Sequence, residues 1–313
     1  MKLVIPHALP PINSAQALID PFVNRYPRLA HLFAAKQATN QAWPAHQHGC
    51  TPIEGLALQS FGYTAKPGIP IGAGLGPLHA KVTNPEQSVW VAQLCATLVS
   101  QERTTAMPLP LIQASAEDIA ALEQSARHLF AADGDGIEVE PLGQGLWRVL
   151  TTAPQEQLPQ TDTMSPMALM ELDLGDWWPT GQAWRAWRRR VNEIQMTWHD
   201  HPVNLAREQG GLPAINSVWL YGGGNGFMPT PAGDDHQWVE SLSAATISGD
   251  WAGWLDAWDE VQAVLLQAAP EQQIVLTGDD RIVELNNAPS RWWRNLFARG
   301  QQDTWRRWWL NQN

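Results

Sequence analysis

The chain has 313 residues, which suits one large domain or two of ordinary size. Apolar residues make up 44% of it and charged residues 16%, a composition typical of a folded globular protein and not of a disordered one. The formal net charge of -11 disfavours non-specific binding to nucleic acid or to an anionic membrane, because the long-range field repels both.

The N-terminal apolar run is too short for a secretory signal, and no apolar stretch is long enough to span a bilayer. Cysteine occurs only at Cys50 and Cys95, which favours a reducing compartment over a disulfide framework. We therefore expect a cytoplasmic protein with no membrane contact and no nucleic-acid partner.

The first third of the chain contains five predicted elements. Residues 2–6 are a short buried strand that ends at proline, and residues 14–37 have helical apolar spacing. The remaining three are a helix over 53–62 that ends at Gly62, a strand over 78–83 and a helix over 85–103.

The middle of the chain opens with Ser115, whose partner Asp118 three residues later predicts a capped helix reaching about residue 132. Two strands at 137–140 and 146–151 form a predicted hairpin, and a helix is expected over 180–200. The elements that follow are a strand over 216–221, helices over 237–245 and 251–268, a strand over 273–277, and a C-terminal helix over 289–311.

Strands and helices alternate, which predicts the α/β class. We expect a discontinuous α/β core made of residues 1–107 and 222–313. Residues 108–221, with their helix, hairpin and helix, are the predicted insertion, an α+β domain that covers the substrate like a lid.

Tryptophan dominates the aromatic residues, with 18 Trp against 6 Phe and 3 Tyr. One interpretation is a Trp-filled core, and the other is a surface that stacks ligands or binds a protein. The basic aromatic stretches 184–190 and 305–309 repeat Trp at a spacing of three, which favours amphipathic helices with Trp inward and Arg outward.

One segment gathers polar residues and glycines around a strand entry, and we predict that it binds a ligand through His201, Asn204, Arg207, Asn216, Gly222, Gly223 and Gly224. In this interpretation Arg207 clamps a carboxylate or phosphate and the glycine amides form an anion nest. The alternative is that these residues only satisfy a buried turn. The run matches neither a Walker loop nor a dinucleotide fingerprint.

The sequence offers few side chains that could bind a metal ion together. His46, His48 and Cys50 supply at most three ligands, whereas a structural zinc site takes four. A solvated loop is the alternative.

The segment His201–Asn216 resembles the archaeal-type cofactor-independent phosphoglycerate mutases of the alkaline-phosphatase superfamily. Residues 58–63, 74–77 and 274–279 resemble other landmarks of that family in the same order. The chain also resembles a proteobacterial group of phosphoglycerate-mutase-like proteins labelled regulatory protein RpfE. The resemblance implies an alkaline-phosphatase-like core sheet flanked by helices, with an inserted α+β domain.

The chain departs from the family where the chemistry lies. The family's first strand ends in a metal-binding Asp-Gly, but here it ends in Pro6-His7, and Ile53 stands at the position of the nucleophilic serine. Thr51 is two residues away from that position. A two-metal phosphoryl-transfer site needs several carboxylates and imidazoles together with a nucleophile.

Three hypotheses follow. The first is a catalytically degenerate, regulatory protein without a cofactor that binds a small phosphorylated or carboxylated ligand or a protein partner. The second is an active phosphoglycerate mutase or phosphatase that holds a divalent metal with unusual ligands, drawn from His7, His46, His48, Asp279 and Asp280. The third is a protein-interaction module with Trp-rich surfaces.

Overall fold

The computed structural model describes residues 1–100, 104–130, 136–151, 158–160, 163–170, 172–230, 236–269, 271–287 and 305–311. Backbone contacts divide the chain into a first unit, Met1–Pro44 with Pro231–Asn313, and a second unit, Ala45–Thr230. Each unit has its own sheet flanked by helices, so the predicted α/β class is confirmed. No helix in the described residues is long and apolar enough to cross a membrane.

The strands are β1 (Lys2–Ile5), β2 (Lys36–Ala42), β3 (Ser88–Val99), β4 (Thr104–Pro108), β5 (Ile137–Gly143), β6 (Leu146–Thr151), β7 (Ser217–Asn225), β8 (His236–Trp238), β9 (Gln273–Thr277) and β10 (Arg281–Asn287). The helices are α1 (Ile12–Arg25), α2 (Pro27–Ala35), α3 (Ala45–His48), α4 (Pro52–Ser60), α5 (Leu75–His79), α6 (Ala116–Ala126), α7 (Leu174–Trp177), α8 (Arg185–His199), α9 (Pro202–Gln209), α10 (Ser243–Ser248), α11 (Trp251–Gln267) and α12 (Trp305–Trp309).

The sheet of the first unit has the order β2-β10-β9-β1-β8. β1 is parallel to both of its neighbours, β8 and β9, whereas β10 is antiparallel to β9 and to β2. The carboxyl ends of β1 and β9 therefore meet at one edge, the place where open α/β sheets bind ligands.

The sheet of the second unit is antiparallel and is organised around the long strand β3. β3 pairs with β7 along one edge, and along the other with β6 and then β4. The hairpin of β5 and β6 completes this sheet, as the sequence predicts.

The domain boundaries differ from the predicted ones. The prediction assigns residues 88–99 to the core and residues 146–151 and 217–221 to the insertion. In the structure these segments are hydrogen-bonded neighbours in a single sheet, so they belong to one unit. The boundaries accordingly fall near residues 45 and 230.

Several predicted elements are confirmed, among them β1, α4, the capped helix α6, α8 and β9. The helix predicted over 85–103 is wrong, because that segment is β3, buried on both faces over most of its length. The strand predicted over 78–83 is also wrong, since α5 ends there in a turn. Of the predicted helix 289–311, residues 289–304 lie outside the described part of the chain, and Trp305–Trp309 form the helix α12.

Tryptophan fills the cores of both units. In the first unit Trp254, Trp258, Trp305 and Trp309 pack together around Phe22, and in the second unit Trp90, Trp147 and Trp198 are fully buried. No tryptophan in the described residues is fully exposed. The Trp-filled core is therefore confirmed for these residues, and they do not form the exposed patch that an interaction module requires.

The expectation that the arginines of the basic aromatic stretch 184–190 all face outward is wrong at Arg190. This side chain is buried and donates hydrogen bonds to the carbonyl oxygens of Leu129 and Ile137. It thereby links α8 to the β5 region, and its neighbours Trp184 and Trp187 face inward as expected.

Candidate functional site

The polar residues that the sequence places in a ligand site have structural partners. His201 caps α9 by accepting a hydrogen bond from the amide of Val203 at 3.3 Å. The buried Asn204 donates to the carbonyl oxygens of Trp198 and Ile215 and accepts from the amide of Ile215, each at 2.9 Å. These two side chains hold the connection from α9 to β7 in place. This is the role that the alternative interpretation gives them, namely hydrogen bonding within a buried turn.

Arg207 is only 4% exposed, and its guanidinium faces main-chain oxygens. Nε donates to the carbonyl of Pro213 at 3.0 Å, and Nη2 donates to that of Ile112. Nη1 lies 3.4 Å from the carboxylate of Asp118. We correct the interpretation of Arg207 as an open anion clamp, because the guanidinium is enclosed by protein acceptors.

Asn216 connects β7 to β3 by accepting from the amide and hydroxyl of Thr97 and donating to its carbonyl. Gly222 and Gly223 have φ values of +96° and +86°, and the sheet register skips Gly223 as a bulge. A Cβ atom on Gly224 would lie 2.6 Å from the carbonyl oxygen of Ala73. The glycines serve close packing, and the amide of Gly222 already donates to the hydroxyl of Thr163.

Ligand binding by the segment His201–Gly224 stays a prediction, but its polar side chains offer no open anion-binding group. The physical reason is that the connection from α9 into β7 buries main-chain carbonyls and amides, and these groups must be hydrogen-bonded.

The candidate metal ligands divide between the two units. His46 and His48 lie on α3 in the second unit, where His46 is exposed and His48 is half-buried. The neighbouring Cys50 is buried, and that burial raises the pKa of its thiol, which disfavours the thiolate that binds zinc. Within the described ranges, no three His, Cys, Asp or Glu side chains form a metal-binding group.

His7 and Asp279 follow β1 and β9 at the shared carboxyl edge of the first unit's sheet. The backbone of His7 has φ +56°, and its Nδ1 lies 3.9 Å from Oδ1 of Asp279. Burial lowers the pKa of His7, so its imidazole is neutral near pH 7. Asp280 is engaged by Arg281 and by Asn311.

Thr51 and Glu54 flank Ile53, the position that the family resemblance assigns to a nucleophile. The Thr51 hydroxyl accepts from the Glu54 amide at 3.3 Å, and the Thr51 amide donates to Oε2 of Glu54 at 2.8 Å, which forms the capping box of α4. The hydroxyl also donates to Oε2, at 2.9 Å. Ser165 also donates to Oε2, at 2.6 Å. Burial raises the pKa of Glu54, and these hydrogen bonds oppose that rise.

A cleft of about 440 Å³ opens in the second unit, and we call it the His79 cleft. It lies between the end of α5, the face of β3 and β7, and the hairpin of β5 and β6. Its polar walls are His79, Lys81, Gln93, Gln144 and Tyr221, and its apolar walls include Leu78, Leu142 and Leu146. A concave site with a few convergent polar groups is typical of a small-molecule site.

Lys81 stands in the cleft with φ +54°. Its amide donates to the carbonyl of Leu78 and the next amide, Val82, donates to that of Pro77, so the two bonds make a Schellman motif at the end of α5. Glycine normally takes this left-handed position, because a side chain there costs about 1–2 kcal/mol. A lysine in this place indicates a role that outweighs the strain.

His79 and Tyr221 both line the cleft, and Nδ1 of His79 lies 2.8 Å from the Tyr221 hydroxyl. Burial raises the pKa of Tyr221, as does the charge of Glu54, so the hydroxyl keeps its proton. Because His79 Nδ1 is its hydrogen-bond partner within the described chain, we assign the phenol as donor. The other imidazole nitrogen, Nε2, then carries the proton and can donate to a ligand.

The imidazole of His79 predicts a pH effect on stability. The residue is exposed overall, but desolvation of the ring, whose Nδ1 lies against the buried Tyr221, lowers the pKa of His79 from its ordinary value. Below about pH 6.5 the unfolded chain therefore binds a proton more readily than the native state does. Stability therefore falls as the pH drops through this range. We expect His79→Gln to show a shallower loss of urea midpoint between about pH 7.5 and 5.5 than the wild type.

His199→Gln is the matched control, because the His199 side chain is 83% exposed and should leave the wild-type pH slope unchanged. An equally steep slope in His79→Gln and the wild type would contradict the lowered pKa of His79.

The sequence analysis missed the His79 cleft because its residues are far apart in the chain; His79 and Tyr221 are separated by 142 positions. One signal was available. The chain has only four lysines, Lys2, Lys36, Lys66 and Lys81, against sixteen arginines. Lys2 approaches Glu284 at 3.8 Å and Lys36 donates to Asn287, whereas Lys81 has neither kind of partner among the described residues.

No protein-family model and no curated protein sequence matches this chain. Among solved structures, the PH0037 protein from Pyrococcus horikoshii is similar at 12% identity and a TM-score of 0.43, covering 92% of this chain and 87% of that one. A cofactor-independent phosphoglycerate mutase from Thermoplasma acidophilum is similar at 13% identity and a TM-score of 0.30, covering 91% and 89%. Neither likeness is strong enough to assign an activity to this chain.

Proposed function

We propose that this chain binds a small phosphorylated or carboxylated molecule in the His79 cleft and does not transfer a phosphoryl group. The observation that carries the proposal is Lys81, an exposed lysine with no ion-pair or side-chain hydrogen-bond partner among the described residues, held in a strained conformation in the same cleft as the His79–Tyr221 pair. In a chain of net charge -11, such a lysine is a local anion-binding group.

The polar groups of the cleft fit an anion in number and type. The Lys81 ammonium supplies charge and up to three hydrogen bonds, and the imidazole of His79 adds one more donor at Nε2. Gln93 and Gln144 provide amide groups that can bind the hydroxyls of the same molecule. The arrangement therefore favours a hydroxylated carboxylate or phosphate ester over a bare inorganic ion.

The region around α4 supports binding without phosphoryl transfer. The Thr51 hydroxyl donates its one proton to the Glu54 carboxylate and accepts from the Glu54 amide, as the cap of a helix. The side chain at the expected nucleophile position, Ile53, has no atom that can accept a phosphoryl group. Binding without turnover agrees with the regulatory role implied by the resemblance to the RpfE group, and that role stays part of the proposal.

The pair of substitutions Lys81→Gly and Lys81→Met tests the proposal. Glycine relieves the left-handed strain, so we expect Lys81→Gly to stabilise the protein by about 1 kcal/mol and to abolish thermal stabilisation by 3-phosphoglycerate. Lys81→Met keeps the strain and should also lose the ligand effect. The measurement is the melting temperature of each variant with and without 3-phosphoglycerate or inorganic phosphate.

Lys2→Met is the control for charge alone, because Lys2 belongs to the first unit and is partly exposed. It should keep the wild-type response. If both Lys81 variants responded to the ligand as the wild type does, the His79 cleft would not be the binding site.

A second candidate function is metal-dependent chemistry at the carboxyl edge of the first unit's sheet. His7 favours it, because within the described part of the chain its buried Nδ1 has no hydrogen-bond partner, and it lies near Asp279. The fit is partial, since these are two ligands and zinc sites take three or four from the protein. We expect any Mn²⁺ or Zn²⁺ affinity measured by calorimetry to fall in His7→Ala and to persist in His31→Ala, whose histidine is exposed. Equal affinities in both variants would remove this candidate.

A further inference from the structure

A second pocket of the second unit lies at the carboxyl end of β7, and we call it the Lys66 pocket. Its volume is about 260 Å³, near the lower limit of about 300 Å³ for small-molecule sites. Its walls come from the loop that follows α4 and from the end of β7. The side chains that the following argument uses are Tyr63, Lys66, Ile69, Gln160, Asn225 and Phe227.

One wall of the pocket is aromatic. The rings of Tyr63 and Phe227 lie 5.0 Å apart between centroids, at an angle of 56°. Tyr63 packs against Gly224 so closely that a Cβ atom there would lie 2.7 Å from the phenol oxygen. Aromatic ring faces carry partial negative charge, so this wall suits a flat face of C–H groups.

Lys66 supplies a positioned cation to the pocket. The ammonium of Lys66 donates to Oδ1 of Asn225 at 2.9 Å, and Nδ2 of Asn225 is fixed by donating to the carbonyl of Pro85 at 2.7 Å. Asn225 is neutral, so it orients the ammonium without cancelling its charge. Two of the three ammonium hydrogens remain for a ligand anion.

Gln160 supplies the acceptor. Its Nε2 donates to the hydroxyl of Ser88 at 2.8 Å and to the carbonyl of Gly223, which uses both amide hydrogens. The amide oxygen, Oε1, is thereby oriented and left to accept a hydrogen bond. A ligand that satisfies all three walls needs a C–H face, an anionic group and a hydroxyl.

We propose that the Lys66 pocket binds a sugar acid or sugar phosphate, with the anion on Lys66, a hydroxyl on Gln160 and a sugar face on Tyr63 and Phe227. This site is separate from the His79 cleft and does not depend on the function proposed for that cleft.

The test is a titration of the full chain with gluconate, followed by NMR of ¹³C-labelled isoleucine and leucine methyl groups. Ile69 lines the Lys66 pocket, whereas Leu142 and Leu146 line the His79 cleft, so the two sites report separately. We expect gluconate to shift the Ile69 methyl saturably, and glucose or inorganic phosphate to bind at least about tenfold more weakly because each lacks one part of the ligand.

Lys66→Met should weaken gluconate binding at Ile69 by about tenfold or more, since a charge-assisted hydrogen bond is lost. Lys81→Met is the matched control and should leave the Ile69 titration unchanged. Phe227→Leu should weaken binding severalfold while keeping an apolar side chain.

Two results would overturn the proposal. One is an Ile69 titration that is the same in Lys66→Met and the wild type, and the other is a gluconate response confined to Leu142 and Leu146. The absence of a gluconate response at Ile69 would not affect the proposal for the His79 cleft. The absence of a ligand response at Leu142 and Leu146 would not affect the proposal for the Lys66 pocket.

Discussion

Replacing Gly222 by alanine is expected to lower the free energy of unfolding by about 4 kcal/mol, the largest effect among the substitutions considered. Gly222 has φ +96°, a region that costs an alanine roughly 1–2 kcal/mol. In addition, a Cβ atom would lie 2.5 Å from the Cα of Gly76, and backbone cannot rotate away as a side chain can. Urea unfolding followed by tryptophan fluorescence measures the loss.

Gly211→Ala separates the two causes. Gly211 also has a positive φ, +71°, but no atom lies within 4 Å of a Cβ built there. It should lose only the conformational part, about 1 kcal/mol. Equal losses in the two variants would mean that the glycines of β7 are not required for close packing.

Arg207→Met is expected to lower the free energy of unfolding by about 3 kcal/mol, because it removes the Arg207 donors from the carbonyl of Ile112, which is buried, and from that of Pro213, which is half-buried. Arg207→Lys restores a charge but not the fork of donors, so it should recover only part of the loss. Both variants are compared with the wild type by urea unfolding.

Arg189→Met is the surface control, since Arg189 is 53% exposed and forms an i,i+4 pair with Glu193. Such exposed pairs contribute well under about 1 kcal/mol. The ligand response distinguishes structure from binding: Arg207→Lys should melt lower than the wild type but keep the same upward shift with 3-phosphoglycerate. A stable Arg207 variant that loses only that shift would restore the anion-clamp interpretation.

Local signals in the sequence predict the elements that depend on near neighbours. Ser115 and Asp118 form the expected capping box of α6, and Gly143 to Gly145 make the tight turn between β5 and β6. Each of these depends on residues within a few positions, so the sequence contains the whole cause.

The helix predicted over 85–103 fails for a different reason. The run from Val89 to Leu98 is apolar at most positions, and an apolar run of this kind does not distinguish a buried helix from a strand that is covered on both faces. The pairing of β3 with three other strands decides the matter, and two of those partners, β6 and β7, lie far away in the chain.

The candidate site also depends on contacts between residues that are far apart in the chain, which the sequence alone does not show. The residue types around Arg207 suit an anion, but the sequence does not show that three carbonyl oxygens converge on its guanidinium. Conversely, Lys81 belongs to no recognisable sequence motif. The cleft around it is completed by the distant Tyr221 and by the hairpin of β5 and β6, which are also far away in the chain. Burial and convergence decide which polar groups remain open to a ligand.

The central claim is that a small anion binds in the His79 cleft, and titration calorimetry of the anion with the largest thermal shift tests it most directly. Tyr221→Phe removes the hydroxyl that orients the His79 imidazole and leaves Lys81 in place. We predict an affinity about tenfold lower in Tyr221→Phe, a larger loss in Lys81→Met, and wild-type affinity in Lys66→Met. Equal affinity in the wild type, Tyr221→Phe and Lys81→Met would contradict the claim.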